Sequence, residues 1–200
     1  MRLKISYSVI NLWQRGDMAG VIEALNGIWR EPTPAMQYGI DKHKEWENYV
    51  NETSHLPTEF GGEYVELPIT EQYRKICLVD DWLWLCGMAD LQYGKNGEYI
   101  IDYKTGRGSA NQYANSLQVG CYKVLFPEAK IFKFLHYNQH EGGKVTMSMI
   151  RLTQNVYDDA IDKILTIGCD IRAMLEQMGM EDFDNVNRSH TKKGKNQDER

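Results

Sequence analysis

Two apolar runs joined by a Gly-Lys-Asn-Gly stretch constrain this chain most. Residues 82–93 and 98–104 are rich in Leu, Ile, Tyr and Trp, and Gly94 and Gly97 bound the polar turn between them. That pattern reads as a β-hairpin. Asp102 and Lys104 are two residues apart, so on a strand they leave from the same face. Asp90 lies toward the far end of the partner strand and can lean over that face. Two carboxylates and one ammonium then converge, which is what a hard divalent cation and an attacking water need. Taken alone, Asp-x-Lys has a plainer reading: aspartates at strand ends cap turns, and a strand lysine points to solvent. The apolar run Tyr99-Ile-Ile-Asp-Tyr-Lys104 weighs against it, because a charge beside a buried run needs a partner.

The bulk composition sets limits. The chain has 200 residues, 42% hydrophobic and 26% charged, which suits one globular domain with a substantial core. The expected organisation is a single domain over residues 1–180 and a polar, disordered tail over 181–200, where apolar periodicity stops. A net charge of -5 is unlike a protein that coats nucleic acid, so any nucleic-acid contact should be local. Cys77, Cys86, Cys121 and Cys169 make no Cys-x-x-Cys pair and have no zinc-finger spacing. They read as reduced core residues in a cytoplasmic protein. The first residues are polar too early for a signal peptide, and no apolar run approaches membrane length.

Along the chain, residues 5–14 and 17–29 read as short helices, and Pro32 and Pro34 open a longer one over 35–52. Strands are expected at 63–68, 74–79, 82–93 and 98–104, with Asp80-Asp81 as a turn. A helix over 110–126 follows, then strands near 130–137 and 144–150. The last helix, 154–177, carries the stripe Val156, Ala160, Ile164, Ile167, Ile171 and Leu175, with Thr153 as N-cap. The order predicts an α/β (α+β) domain with a central mixed β-sheet flanked by helices.

Three further groups could carry chemistry. Ile40, His43, Glu47 and Val50 share one helix face, and two polar residues on an apolar face want a common target such as a metal or Lys104. The alternative is a partly exposed histidine beside a solvated glutamate. Gln118 and Tyr122, four apart, share a face near Ser109 and Asn115 and could bond phosphates or order a ligand shell. From the pattern alone the plainer reading prevails, an amphipathic helix with Tyr122 in the core and Gln118 at the rim. Gly106-Arg107-Gly108-Ser109 stands at an expected helix N-terminus, which suits an anion, or is a simple turn; it lacks Walker spacing.

Taken in order, these pieces resemble the PD-(D/E)XK nuclease superfamily, in its RecB-like exonuclease branch, similar to the CRISPR-associated and phage recombination exonucleases. The matching residues are His43 after Gly39, Gly87-Met-Ala-Asp90, Asp102-Tyr-Lys104 followed by Thr105-Gly106, and Gln118-Val-Gly-Cys-Tyr122. Ile5-Ser-Tyr-Ser looks like the branch's opening helix. The resemblance spans roughly residues 5–150. It implies a restriction-endonuclease-like core and a metal-dependent deoxyribonuclease, either an exonuclease on single strands or duplex ends or a structure-specific or nicking endonuclease. A catalytically silent nucleic-acid-binding module is the reading from another class. The implied catalytic residues are Asp90, Asp102 and Lys104. The implied Mg²⁺ or Mn²⁺ ligands are His43, Asp90, Asp102 and the Tyr103 carbonyl, with Glu47, Arg107, Ser109, Gln118 and Tyr122 in support or on DNA. Gly39 stands four before His43, where the branch commonly has three. With Cys169 the one late cysteine, no iron–sulfur cluster is expected. The resemblance also implies DNA as partner, with a recombination or replication protein or an oligomer to give processivity, in a bacterial or phage-encoded protein that makes no membrane contact.

Overall fold

The computed structural model describes residues 1–28, 30–79 and 81–186, with backbone alone for 70–73, 75 and 77–79. Six strands form one mixed sheet. In chain order the elements are β1 (Leu3–Ser6), α1 (Tyr7–Gln14), α2 (Met18–Leu25), α3 (Pro34–Thr53), β2 (Ile69–Val79), β3 (Leu83–Tyr93), β4 (Tyr99–Thr105), α4 (Asn111–Ala114), α5 (Leu117–Leu125), β5 (Ile131–Asn138), β6 (Lys144–Arg151) and α6 (Gln154–Gln177).

β3 organises the sheet. β2 runs antiparallel along one edge of it, from Ile69 opposite Gln92 to Val79 opposite Leu83. The other edge is divided. β1 lies parallel to Leu83–Cys86, while β4 lies antiparallel to Leu91–Tyr93. Residues 87–90 have no strand partner there among the described residues, so the sheet forks. Beyond the fork β5 is parallel to β4 and β6 antiparallel to β5. The parallel β4–β5 step needs a crossover, which α4 and α5 supply. The β3–β4 turn closes with the Gly97 N–H on the Gly94 carbonyl at 2.9 Å; both glycines have positive φ, 90° and 71°, which an L side chain adopts only with strain.

Two cores cover the two faces. On one side Leu83, Leu85, Ala89 and Ile100 pack with α1, α2, α5 and α6. On the other, Leu91, Tyr93, Ile101, Tyr103 and Leu135 pack with Trp46 and Val50 of α3. Odd-numbered β3 residues therefore face the first core up to Ala89 and the second from Leu91 onward. Side-chain alternation changes phase at Asp90.

Several expectations need correction. The opening segment is not helical from residue 5: Leu3–Ser6 is a strand, and Ser6 then caps α1 by accepting the Val9 N–H at 3.4 Å. No strand occupies 63–68; its one ladder contact is a bridge between Tyr64 and His55, and β2 starts at Ile69. Asp80, half of the expected Asp80-Asp81 turn, lies outside the described residues, as do Trp29 at the end of the second expected helix and most of the tail. The expected helix over 110–126 is broken at Asn115-Ser116 into α4 and α5. The first residues of the expected tail are packed: Phe183, Asn185 and Val186 are buried. Asn185 accepts the Lys4 N–H at 2.6 Å and donates to the Lys4 carbonyl at 2.9 Å, extending β1 in place of a strand. Cys86 and Cys121 are buried free thiols, whereas Cys169 is exposed on α6. Among the described residues no helix is long and apolar enough to cross a membrane.

α6 presents the expected stripe, with Ala160, Ile164, Ile171 and Leu175 almost fully buried. It fixes α5 by close contact. A Cβ added at Gly120 would stand 2.5 Å from the Ala160 Cβ, a distance real carbon atoms do not occupy. Gly120→Ala is therefore expected to destabilise the fold by about 1–3 kcal/mol, read as a lower midpoint in urea unfolding. Adding Ala160→Gly should restore most of the loss; two additive losses would disprove the contact.

Candidate active site at the fork of the sheet

The ladder between β3 and β4 stops at Leu91–Ile101. One more pair in the same register would set Asp90 against Asp102, and like charges directly opposite destabilise a sheet. The strands part instead, leaving backbone polar groups that must find other partners. The Tyr103 N–H donates to Asp90 Oδ2 at 2.7 Å. The Met88 carbonyl, on the unpaired stretch of β3, accepts from the Tyr122 hydroxyl at 2.7 Å. Candidate site residues thus satisfy the orphaned backbone.

From the second-core side, α3 brings His43, whose Nδ1 stands 3.2 Å from Asp90 Oδ1. The approach is tight. A Cβ at Gly39, one turn earlier, would come within 2.8 Å of Thr105 Oγ1 at the end of β4. The His43 ring rests edge-on to Tyr103, 6.0 Å between centroids. From the first-core side, Asp102 and Lys104 project together as the spacing predicts. Asp102 Oδ2 lies 2.5 Å from Lys104 Nζ, a charge contact without the direction of a good hydrogen bond. Asp102 Oδ1 accepts from Gln118 Nε2 at 3.1 Å and from the Tyr122 hydroxyl at 3.0 Å. Tyr122 divides its one proton between Asp102 and Met88. The four-residue spacing of Gln118 and Tyr122 on α5 aims both at one carboxylate.

Burial shapes the charges. It pushes the Asp102 carboxyl above the usual carboxylate range; Lys104 pulls it back and Asp90 adds to the rise. Burial alone would pull Lys104 down, yet the Asp102 charge and contact outweigh it and the ammonium persists. Its Nζ lies 5.3 Å from the Tyr113 ring centroid and 5.6 Å from that of Phe134. Burial also lowers His43, but the bond and charge of Asp90 win and its value is raised. Burial pushes the phenols of Tyr103 and Tyr122 well above the tyrosine range, so both stay neutral.

Not every candidate joins the group. Glu47 pairs with Lys44 at 3.1 Å, and no bond to His43 or Lys104 is formed. Ile40, expected on the buried face of α3, is 37% exposed; the face turns toward Trp46 and Val50. Arg107 is exposed on the bend after β4, and the Ser109 carbonyl closes the turn into α4 by accepting the Gln112 N–H. α4 is a single turn, too short for the anion-binding helix terminus expected at Gly106–Ser109. Three residues at the site went unread. Tyr7 starts α1 at the mouth of the fork, its hydroxyl on Ser116 and within the fields of Lys104 and Asp102. Tyr113 covers Lys104. His136 stands beside Lys104 on β5 in strand register. Alternation along Ile131–Asn138 puts His136 on the face of Phe132 and Phe134, a signal present in the sequence.

A hard divalent ion fits this donor set chemically: two carboxylates, an imidazole and a backbone carbonyl, with an excess of negative charge. Asp102 Oδ2 is buried with Lys104 as its sole close partner, an oxygen that a cation would suit. The side chains do not form a closed ligand cage: among the described residues no three His, Cys, Asp or Glu side chains are grouped to hold a metal.

No protein-family profile and no curated protein matches the sequence. Solved structures do match in shape. The alkaline exonuclease LHK-Exo from Laribacter hongkongensis superposes with TM-score 0.53 at 14% identity, covering 88% of this chain and 91% of its own. LHK-Exo in complex with dAMP gives 0.52 at 15% identity over the same shares. A putative exonuclease from Eubacterium rectale gives 0.51 at 13% identity, over 84% of this chain and 76% of its own. The chain shares the fold of these exonuclease structures. Its mixed sheet flanked by helices is the restriction-endonuclease-like arrangement.

The His43–Asp90 contact has a measurable consequence. In chelator-treated protein, NMR titration should place His43 above the ordinary histidine value, and Asp90→Asn should bring it down. A folded value above the unfolded one means the pair's stabilisation is fully present below the unfolded value and fades as pH rises through the folded one. A His43 that titrates at or below the ordinary value would disprove the pairing.

Proposed function

We propose that the protein is a metal-dependent deoxyribonuclease that hydrolyses phosphodiester bonds, acting as an exonuclease on single strands or duplex ends. The observation that carries this reading is the convergence at one fork of Asp90, Asp102, Lys104 and His43 from two strands and a helix. A silent binding module has no need of an ammonium buried against a carboxylate. The exonuclease form draws support from the fold shared with LHK-Exo, solved with dAMP.

In this reading His43, Asp90, Asp102 and the Tyr103 carbonyl would hold Mg²⁺ or Mn²⁺. When bound, the ion supplies charge neutralisation at the scissile phosphate and an acidified water. The chain's own residues do the rest. Asp90 holds the fork open and orients the His43 ring. Gln118 and Tyr122 fix the Asp102 carboxylate. Asp102 in turn keeps Lys104 protonated and aimed, so that the ammonium can counter charge developing on the phosphate. Phe134 lies against that ammonium and limits its contact with water, which strengthens its field. Arg107, exposed beside the end of β4, would meet a backbone phosphate. With a net charge of -5, DNA contact depends on this local set of cations.

End-labelled linear DNA should be degraded with Mg²⁺ or Mn²⁺ and left intact with chelator, while circular single strands survive. Lys104→Ala should lose activity by roughly 10²–10³-fold, as for loss of a transition-state donor, with its circular dichroism unchanged. Cleaved circles would favour an endonuclease on the same site. Full activity in Lys104→Ala, or intact DNA under every condition, would end the proposal.

A further inference from the structure

Among the described residues His136 is the one histidine with no exposed surface, and neither of its ring nitrogens has a hydrogen-bond partner. A buried polar group left unpaired is costly and in a native protein calls for an explanation. Its position supplies one. β4 and β5 are parallel, with Lys104 opposite His136 and Asp102 opposite Phe134. Side chains at these four positions leave the same face of the sheet. The imidazole therefore stands one strand from the catalytic ammonium, about 4.8 Å away in the backbone. Tyr113 lies over both, 5.3 Å from Lys104 Nζ and 6.2 Å from the His136 ring centroid.

What lies over His136 is a short segment anchored by Ala110, which is fully buried, and by Tyr113, which packs on Phe134. Residues 106–114 run from the end of β4 across this face. Gly106 and Gly108, with φ 105° and 104°, form its bends. Two side chains flanking His136 tether it: Thr146 Oγ1, on the neighbouring strand, accepts the Ala110 N–H at 2.9 Å, and Asn138 Nδ2 donates to the Gly108 carbonyl at 3.4 Å. Both tethers are bonds that a phosphate oxygen or water can replace.

We propose that His136 is a substrate-binding residue of this site: when residues 106–114 lift, its imidazole N–H donates to the phosphate next to the one being cleaved. This rests on the nuclease reading above. A neutral imidazole suffices, and burial keeps this one neutral by lowering its value. Arg107, on the same segment, would meet the same stretch of backbone. The ligand is a polynucleotide phosphate, and the role is positioning the strand across Lys104 rather than bond breaking.

His136→Phe fills the space without polar atoms and His136→Gln keeps an N–H donor. Steady-state cleavage of a labelled linear duplex with Mn²⁺ gives KM and kcat, and thermal melting reports the fold. The expectation for His136→Phe is a melting point at or above that of the parent, KM raised roughly tenfold, as for loss of a hydrogen bond to a charged group, and kcat within about a factor of two. His136→Gln should recover most of the KM. Should His136→Phe fail to fold, His136→Leu against His136→Gln carries the comparison. Unchanged KM in the variant lacking a donor overturns the proposal and leaves the nuclease reading standing. So does an equal rise in KM for both variants, which would mark a shape effect. If the parent cleaves nothing, both fall.

Discussion

The hydrogen bond from the Tyr103 N–H to Asp90 Oδ2 decides what this sheet becomes. A β-ladder is closed to side-chain chemistry because each backbone group already has a partner on the next strand. Here the ladder ends after three pairs, at the point where two carboxylates would face each other. Repulsion between them favours separation, and separation strands an N–H on one side and a carbonyl on the other. Asp90 takes the first and Tyr122 the second. The same two side chains also touch His43 and Asp102. The geometry of the candidate site and backbone satisfaction are therefore one network, and neither can be altered without the other.

The fork also explains how residues from opposite layers can act together. His43 belongs to a helix packed on one face, while Asp102, Lys104, Gln118 and Tyr122 gather on the other. A continuous sheet would put a strand between them. The gap at residues 87–90 removes it, and the change of side-chain phase at Asp90 turns that carboxylate into the plane, where it contacts His43 and its charge acts on Asp102 and Lys104. The two cores hold the layers in place: Trp46 and Val50 anchor α3, and the Gly120–Ala160 contact sets α5 against α6. Small residues at Gly39 and Gly120 let both helices come close enough for His43 and Gln118 to reach.

Much of this was readable in the residues, and the failures have physical reasons. The hairpin was visible because two glycines bound it and the apolar runs are long. Asp102 and Lys104 share a face by simple alternation, and α6 follows from its stripe. β1 was missed because four residues carry no period of their own; its pairing with β3 and with Asn185 is wholly non-local. The break at Asn115-Ser116 had a local sign, since both residues favour caps over helix interiors and Ser116 stands at the N-cap of α5; the packing of Tyr113 against Phe134 and Lys104 holds α4 apart. Glu47 has the right spacing for His43, but Lys44, three residues before it, is a nearer partner than anything across the cleft. His136 hid within an apolar strand, where an alternating histidine looks like core until the strand beside it is known to carry Lys104.

On the proposed function, an acidic protein that works on a polyanion must solve its electrostatics locally. Around the fork the fixed charges are two carboxylates and an ammonium, with a histidine whose raised value adds positive character as pH falls. The carboxylates exceed the cation, so the site by itself repels a phosphate and attracts a divalent ion. An ion bound there reverses the sign and makes the same place attractive to DNA. Lys104 cannot do this alone, since Asp102 already neutralises it. On the proposed function the order would be metal first and nucleic acid second, and it arises from counting charges within a few ångströms of Asp90 rather than from the net charge of the chain.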